Sequence, residues 1–229
     1  MPIDYLSLVH IITGTLALAG GLLALVAPKG RHWHRQGGKV FFWAMLVSAL
    51  SGSLLGLLEP ERLLITALAG VLTLYLLLTS RRAARNRSGR FERMDGALFA
   101  AVVVLILLLA GLGGFALQQA DGRLLGFAGE DYFMLAVMAA LGGCADVTMV
   151  FRKRMSDRYR IARHLWRMGL AFFIAVGSAF TGPGAAVFPE ALRSSGLLAA
   201  PEGITALVIL FWLVRTLFNR PRPVPGAGS

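Results

Sequence analysis

A chain of 229 residues with 56% apolar and 15% charged side chains, and a mean hydropathy of +0.68, is too apolar for a soluble domain, where roughly 25% of residues are charged. The net charge of +11 sits in short loops between apolar blocks, where it orients a membrane protein. No zinc-finger or RNA-binding pattern accompanies it, which argues against nucleic acid as a partner, and the lone Cys144 excludes an internal disulfide.

The apolar residues come in blocks of about 15 to 25, and about 20 are needed to cross a hydrocarbon core of roughly 30 Å. The sequence therefore predicts an all-α fold, a polytopic transmembrane helix bundle of seven spans in one domain over residues 1–219, with the lipid bilayer as its surroundings. The first span covers 5–27 and ends at Pro28, which cannot continue a helix. It follows Asp4 with no basic n-region and is too long for a signal peptide, so it stays in place as a span. His10, Thr13, Ala17 and Gly21 share a face, which turns His10 into the bundle.

The loop 28–39 holds Lys29, Arg31, His32, His34, Arg35 and Lys39. In the second span, 40–58, Ala44, Ser48, Gly52 and Gly56 recur every fourth position. Small residues on one face let helix backbones approach, so this stripe should form the tightest contact. It is also the candidate surface for a homo-oligomer or a membrane partner. Glu59-Pro60-Glu61 turns the chain into a third span, 63–79, followed by a basic loop with Arg81, Arg82, Arg85, Arg87, Arg90 and Arg93. The fourth span, 96–117, is aliphatic through its middle and should face lipid.

After an outer loop, the fifth span covers 132–151 and carries Asp146, about five residues or about 7–8 Å from its basic end. A loop with Arg152, Lys153, Arg154, Arg158, Arg160 and Arg163 leads to the sixth span, 164–182, which Gly182-Pro183-Gly184 breaks. At about 100° per residue, His164, Arg167, Ala171, Ala175, Ser178 and Gly182 form one face, with Phe172, Phe173, Ile174 and Phe180 mostly off it. The seventh span, 204–218, is short, and its Arg215 must snorkel. The Pro-rich stretch 220–229 reads as a disordered cytoplasmic tail.

Loops one, three and five contribute four, six and six basic residues; with Arg167, Arg215, Arg220 and Arg222, 20 of 23 lie on one side. Basic loops stay cytoplasmic, which puts the N-terminus outside and the C-terminus inside. Arginine far outnumbers lysine in an Ala-, Leu- and Gly-rich chain, the bias of a GC-rich bacterial genome, which makes a bacterial inner membrane the expected location. At an offset of 130, His34 meets His164, Phe42 meets Phe172, Ser48-Ala49 meets Ser178-Ala179, and Gly52 meets Gly182. A parallel repeat of spans one to three and five to seven would produce that pattern.

Ionisable groups inside a membrane are costly and have a partner or a task. Here they are Asp146, His164 and Arg167 toward the basic end and His10, a secondary candidate, in the outer half, while His34 in the first basic loop joins the candidate site at the start of the second span. Asp146 and Arg167 lie at similar depth on consecutive spans and can pair, either to pin two helices or to handle a proton or anion. His34 and His164 can hold a metal or a haem iron, relay protons, or simply bond loop carbonyls. No Walker loop, dinucleotide fingerprint or Gly-x-Ser-x-Gly elbow is present, which leans against an enzyme.

With His10, Lys29-Gly30, His34-Arg35, Lys39 and His164-x-x-Arg167-Met168, the chain resembles the bacterial multi-pass inner-membrane family catalogued as domain of unknown function twenty-three-oh-six, over spans one to six. The resemblance implies a helical membrane bundle with histidines at these positions, and no set activity. Cytochrome b561-type proteins are a weaker comparison, since the histidine spacing here does not reproduce their paired haem ligands. Three functions suit these residues. The first is a small proton-coupled transporter or permease using His34, Asp146, His164 and Arg167. The second is a membrane redox protein binding haem or quinone through His34 and His164. The third is a scaffold or partner subunit with no ligand.

Overall fold

Inside a bilayer every backbone N–H and C=O must be satisfied within its own segment, which leaves a chain of this composition only the helix. A computed structural model describes residues 2–86, 88–152 and 156–218. It contains α1 (Pro2–Val26), α2 (His32–Leu58), α3 (Pro60–Arg85), α4 (Arg93–Leu117), α5 (Gly129–Arg152), α6 (Asp157–Phe180), a short α7 (Glu190–Ser194) and α8 (Ala200–Phe218). Seven of these, all but α7, are long and apolar enough to cross a membrane, so the protein is a polytopic transmembrane helix bundle. The stretch 220–229 lies outside the described residues.

Several helices extend beyond the apolar spans at the basic end. α2 begins at His32 rather than 40, α3 continues to Arg85, and α6 begins at Asp157 rather than 164. Parts of loops one, three and five are thus helical, because the hydrogen-bond ladder does not stop where the hydrocarbon does. The linkers are accordingly tight. Gly30, at φ +78°, sits in the α1–α2 turn, and Pro60 opens α3 immediately after Glu59. Glu92 and Asp95 close a reciprocal capping box at the start of α4. Between α4 and α5, Arg123–Leu124 (β1) pairs antiparallel with Phe127–Ala128 (β2). Tyr132 ties this hairpin down by donating to the Leu124 carbonyl at 2.7 Å.

Packing follows the small residues. A methyl group on Gly37 of α2 would stand 2.8 Å from the Gly20 carbonyl of α1 and 2.9 Å from the Ala24 nitrogen, so these backbones touch. On the other side of α2, Gly56 abuts Leu63 and Ala67 of α3, and Gly70 of α3 lies against the Ala49 carbonyl. Gly113 and Gly129 bring α4 and α5 together, and Gly169 of α6 receives Ile209 of α8. The second-span stripe is therefore the close contact expected of it. It is spent inside the chain, however, with Ser48, Gly52 and Gly56 buried against α1 and α3. The expected oligomer surface through Ala44, Ser48, Gly52 and Gly56 is corrected on that ground.

α6 lies among α1, α3 and α8. Having neighbours on more than one side explains why Phe172, expected off the inward face, is buried against Gly21 and the Phe41 ring, 5.9 Å between centroids. α4 pairs with α5 and turns Val104, Leu107 and Leu108 outward, as the lipid-facing reading requires. Among the described residues this α4–α5 pair meets the remaining helices mainly through α3, and α5 comes backbone-close to α6 at few points. The α1–α2 contact is thus not repeated by α5–α6, which removes the geometric support for the internal repeat.

Candidate functional site

Where α5 stands off from α6, long side chains fill the distance. α5 turns Asp146 inward, about two turns from its basic end, while Cys144, two residues away, is exposed on another side. α6 contributes Arg163 and Arg167, one turn apart on the same face, and α3 contributes Tyr75. Arg167 donates from Nη2 to Asp146 Oδ1 at 2.6 Å and to the Gly142 carbonyl at 2.9 Å. Arg163 Nη2 donates to the same Asp146 Oδ1, and the Tyr75 hydroxyl donates to Oδ2. Arg163 also directs Nη1 at the Met149 sulfur, 2.8 Å away. Asp146, Arg163 and Arg167 are 2%, 6% and 0% exposed, so water does not screen this cluster. Arg163 Nε, Arg167 Nε and Arg167 Nη1 have no hydrogen-bond partner among the described residues.

A second ionic group lies nearby at the basic end. Arg82, in the last turn of α3, grips both oxygens of buried Asp95 at 3.0 Å each and reaches Glu92 at 2.9 Å. It fastens α3 to α4, and Asp95 is within electrostatic reach of Arg163. Together the two groups attach the α4–α5 pair to α3 and α6.

The expected Asp146–Arg167 pair is present. Arg163 and Tyr75 are additions. Arg163 counts by sequence as a loop residue, although its spacing of four from Arg167 puts both on one helical face. Tyr75 is hidden in an otherwise apolar span and carries no such signal.

The histidines go elsewhere. His164, beside Arg163 in sequence, faces α3, where its Nδ1 lies 2.9 Å from the Ser80 hydroxyl, which in turn donates to the His164 carbonyl at 3.0 Å. His34 Nδ1 reaches the Ala24 carbonyl at the end of α1 at 2.9 Å. That carbonyl also accepts from Lys29 Nζ at 3.0 Å, which caps the helix and sits 4.5 Å from the Trp212 ring centre; burial lowers the Lys29 pKa. His34 and His164 are close enough to interact electrostatically, yet neither binds the carboxylate cluster. His10 does point inward, to the Ser48 carbonyl at 2.9 Å over the space left by Gly52. Among the described residues no three His, Cys, Asp or Glu side chains gather as a metal site.

No curated protein and no solved structure matches the chain. A family match covers the first three spans, with His10, His34 and Tyr75, and stops short of Asp146, Arg163, His164 and Arg167; it is narrower than the six-span resemblance. Residues 7–93 match the sequence model of the family described as "Predicted membrane protein (DUF2306)", the family this sequence resembles.

Proposed function

We propose that this membrane protein is a small transporter, coupled to protons, whose working site is the cluster of Tyr75, Asp146, Arg163 and Arg167. One observation carries the reading: a buried ionic cluster occupies the seam between the α4–α5 pair and the helices around α6, where backbones stand apart. A purely structural ion pair needs one cation for its carboxylate. Here two guanidinium groups share one oxygen and leave donors unspent. Ion pairs across a seam can be remade in a second arrangement, whereas interdigitated backbones such as Gly20 on Gly37 cannot slide freely. His34 and His164, the imidazoles at the same end, are proposed to take the coupled proton.

The proposal includes an orientation in a bacterial inner membrane, with the basic end cytoplasmic and the N-terminus outside, on the strength of the loop charge bias. A reporter fused after Ser229 should read as cytoplasmic; activity outside would reverse this orientation.

Transport is tested by reconstituting the full chain in vesicles holding a pH dye and screening small anions, cations and neutral solutes against an imposed proton gradient. At least one solute should collapse the gradient faster than in empty vesicles. Arg167→Gln, at equal incorporation, should slow that rate by about tenfold or more, the worth of one charged hydrogen bond. Equal rates with and without protein for every solute would contradict the reading and favour the scaffold.

A further inference from the structure

The ions of the buried cluster do not balance. Arg163 and Arg167 bring two positive charges and Asp146 one negative charge. Asp95, the next carboxylate within electrostatic reach, gives both oxygens to Arg82 and accepts the Glu92 amide as well, while Glu92, the second acid on Arg82, is 56% exposed and offsets its charge against water rather than inside the buried cluster. Asp157 pairs with Arg160 at 3.1 Å. The connection 152–156 reads Arg-Lys-Arg-Met-Ser and contributes no acid. One excess positive charge therefore remains in surroundings where charge is costly. Arginine cannot relieve it by giving up its proton. Arg163 Nε, Arg167 Nε and Arg167 Nη1 are meanwhile buried with nothing to donate to among the described residues, although buried donors are almost always paired.

Charge count and unspent donors make the same demand. We propose that the cluster is the seat of one small monovalent anion, held by the free guanidinium N–H groups of Arg163 and Arg167 beside Asp146. The single charge follows from the count. The small size follows from the crowding: Arg167 is 0% exposed, and even a methyl on facing Gly142 would stand 3.2 Å from the Tyr75 ring. As the transported solute the anion rests on the transporter reading above; as a bound ligand it stands without it.

The test is thermal unfolding of the purified full chain in mild detergent, titrated with sodium chloride, sodium nitrate or sodium acetate against sodium gluconate at constant ionic strength. At least one of the three small anions should raise Tm saturably, and bulky gluconate should not. Arg163→Lys keeps the charge but loses the Nε donor, and should weaken the apparent affinity by about tenfold; Arg167→Gln should weaken it at least as much. Shifts in the wild-type protein that are absent, or that are unsaturable and equal for all four salts, would overturn the anion site whether or not either variant folds. The vesicle assay separates the two readings. Saturable binding without anion flux upholds the site and removes transport. Flux of a cation or neutral solute with no anion effect on Tm removes the site and leaves transport standing.

Discussion

Asp146→Asn is expected to cost about 3–5 kcal/mol of stability, measured as a fall in the detergent unfolding temperature and in folded yield. The substitution keeps the shape of the side chain and removes its charge. Arg163 and Arg167 then face each other, buried, with no carboxylate between them and with Tyr75 donating to a neutral amide. Most of the loss comes from the two guanidinium groups left uncompensated rather than from the bonds removed. Asp157→Asn is the matched control. It also breaks an aspartate–arginine pair on α6, but its side chain is 79% exposed, and surface pairs are worth about 0–1 kcal/mol. If both variants lose the same amount, burial of the cluster is not what makes Asp146 matter.

Gly37→Ala should cost about 1–3 kcal/mol, and its neighbour Gly38→Ala should cost nothing or gain up to about 1 kcal/mol. The contrast is one of placement alone. The added methyl at Gly37 meets the backbone of α1 at 2.8 and 2.9 Å, and backbone cannot yield as the end of a flexible side chain can. The same methyl at Gly38 meets nothing within 4 Å, and alanine is the better helix former. Unfolding temperatures of the two variants against wild type give the answer, and a loss at Gly38 equal to that at Gly37 would mean that α1 and α2 do not meet through this face.

The architecture is legible in the sequence because one physical demand, satisfying backbone groups in lipid, acts on blocks of known length. What that demand does not set is where a helix ends outside the lipid. Arg163, Arg82 and the first turns of α2 and α6 are therefore helical where the hydropathy pattern shows only basic loops. The same confusion of loop with exposure hides Arg163, which is 6% exposed despite its place in a basic run. Asp146 and Arg167 are recognisable because a charge in an apolar block has few ways to be tolerated. Tyr75 is not, since a tyrosine among leucines looks like core until its hydroxyl is seen on a carboxylate. Helical spacing placed the small-residue stripe of α2 on one face but could not say whose backbone covers it; the answer, α1 and α3, lies in tertiary contact. His34 and His164 share an end of the bundle, and each spends its Nδ1 on a nearby acceptor.

If the seam is where the molecule works, its ionic contacts must be strong enough to hold one arrangement and few enough to be exchanged. Asp146 is the hub of those contacts, and Arg82–Asp95 is a second fastening closer to the surface.

The most direct measurement is a double-mutant cycle on Asp146 and Arg167, by unfolding in detergent of wild type, Asp146→Asn, Arg167→Gln and the pair. Arg167→Gln alone leaves a balanced Asp146–Arg163 pair, and the double variant leaves only one stranded cation instead of two. The combined loss should therefore fall short of the sum of the single losses by more than about 1 kcal/mol. Losses that add to within about 0.5 kcal/mol would mean that the two side chains do not share the buried site described for them.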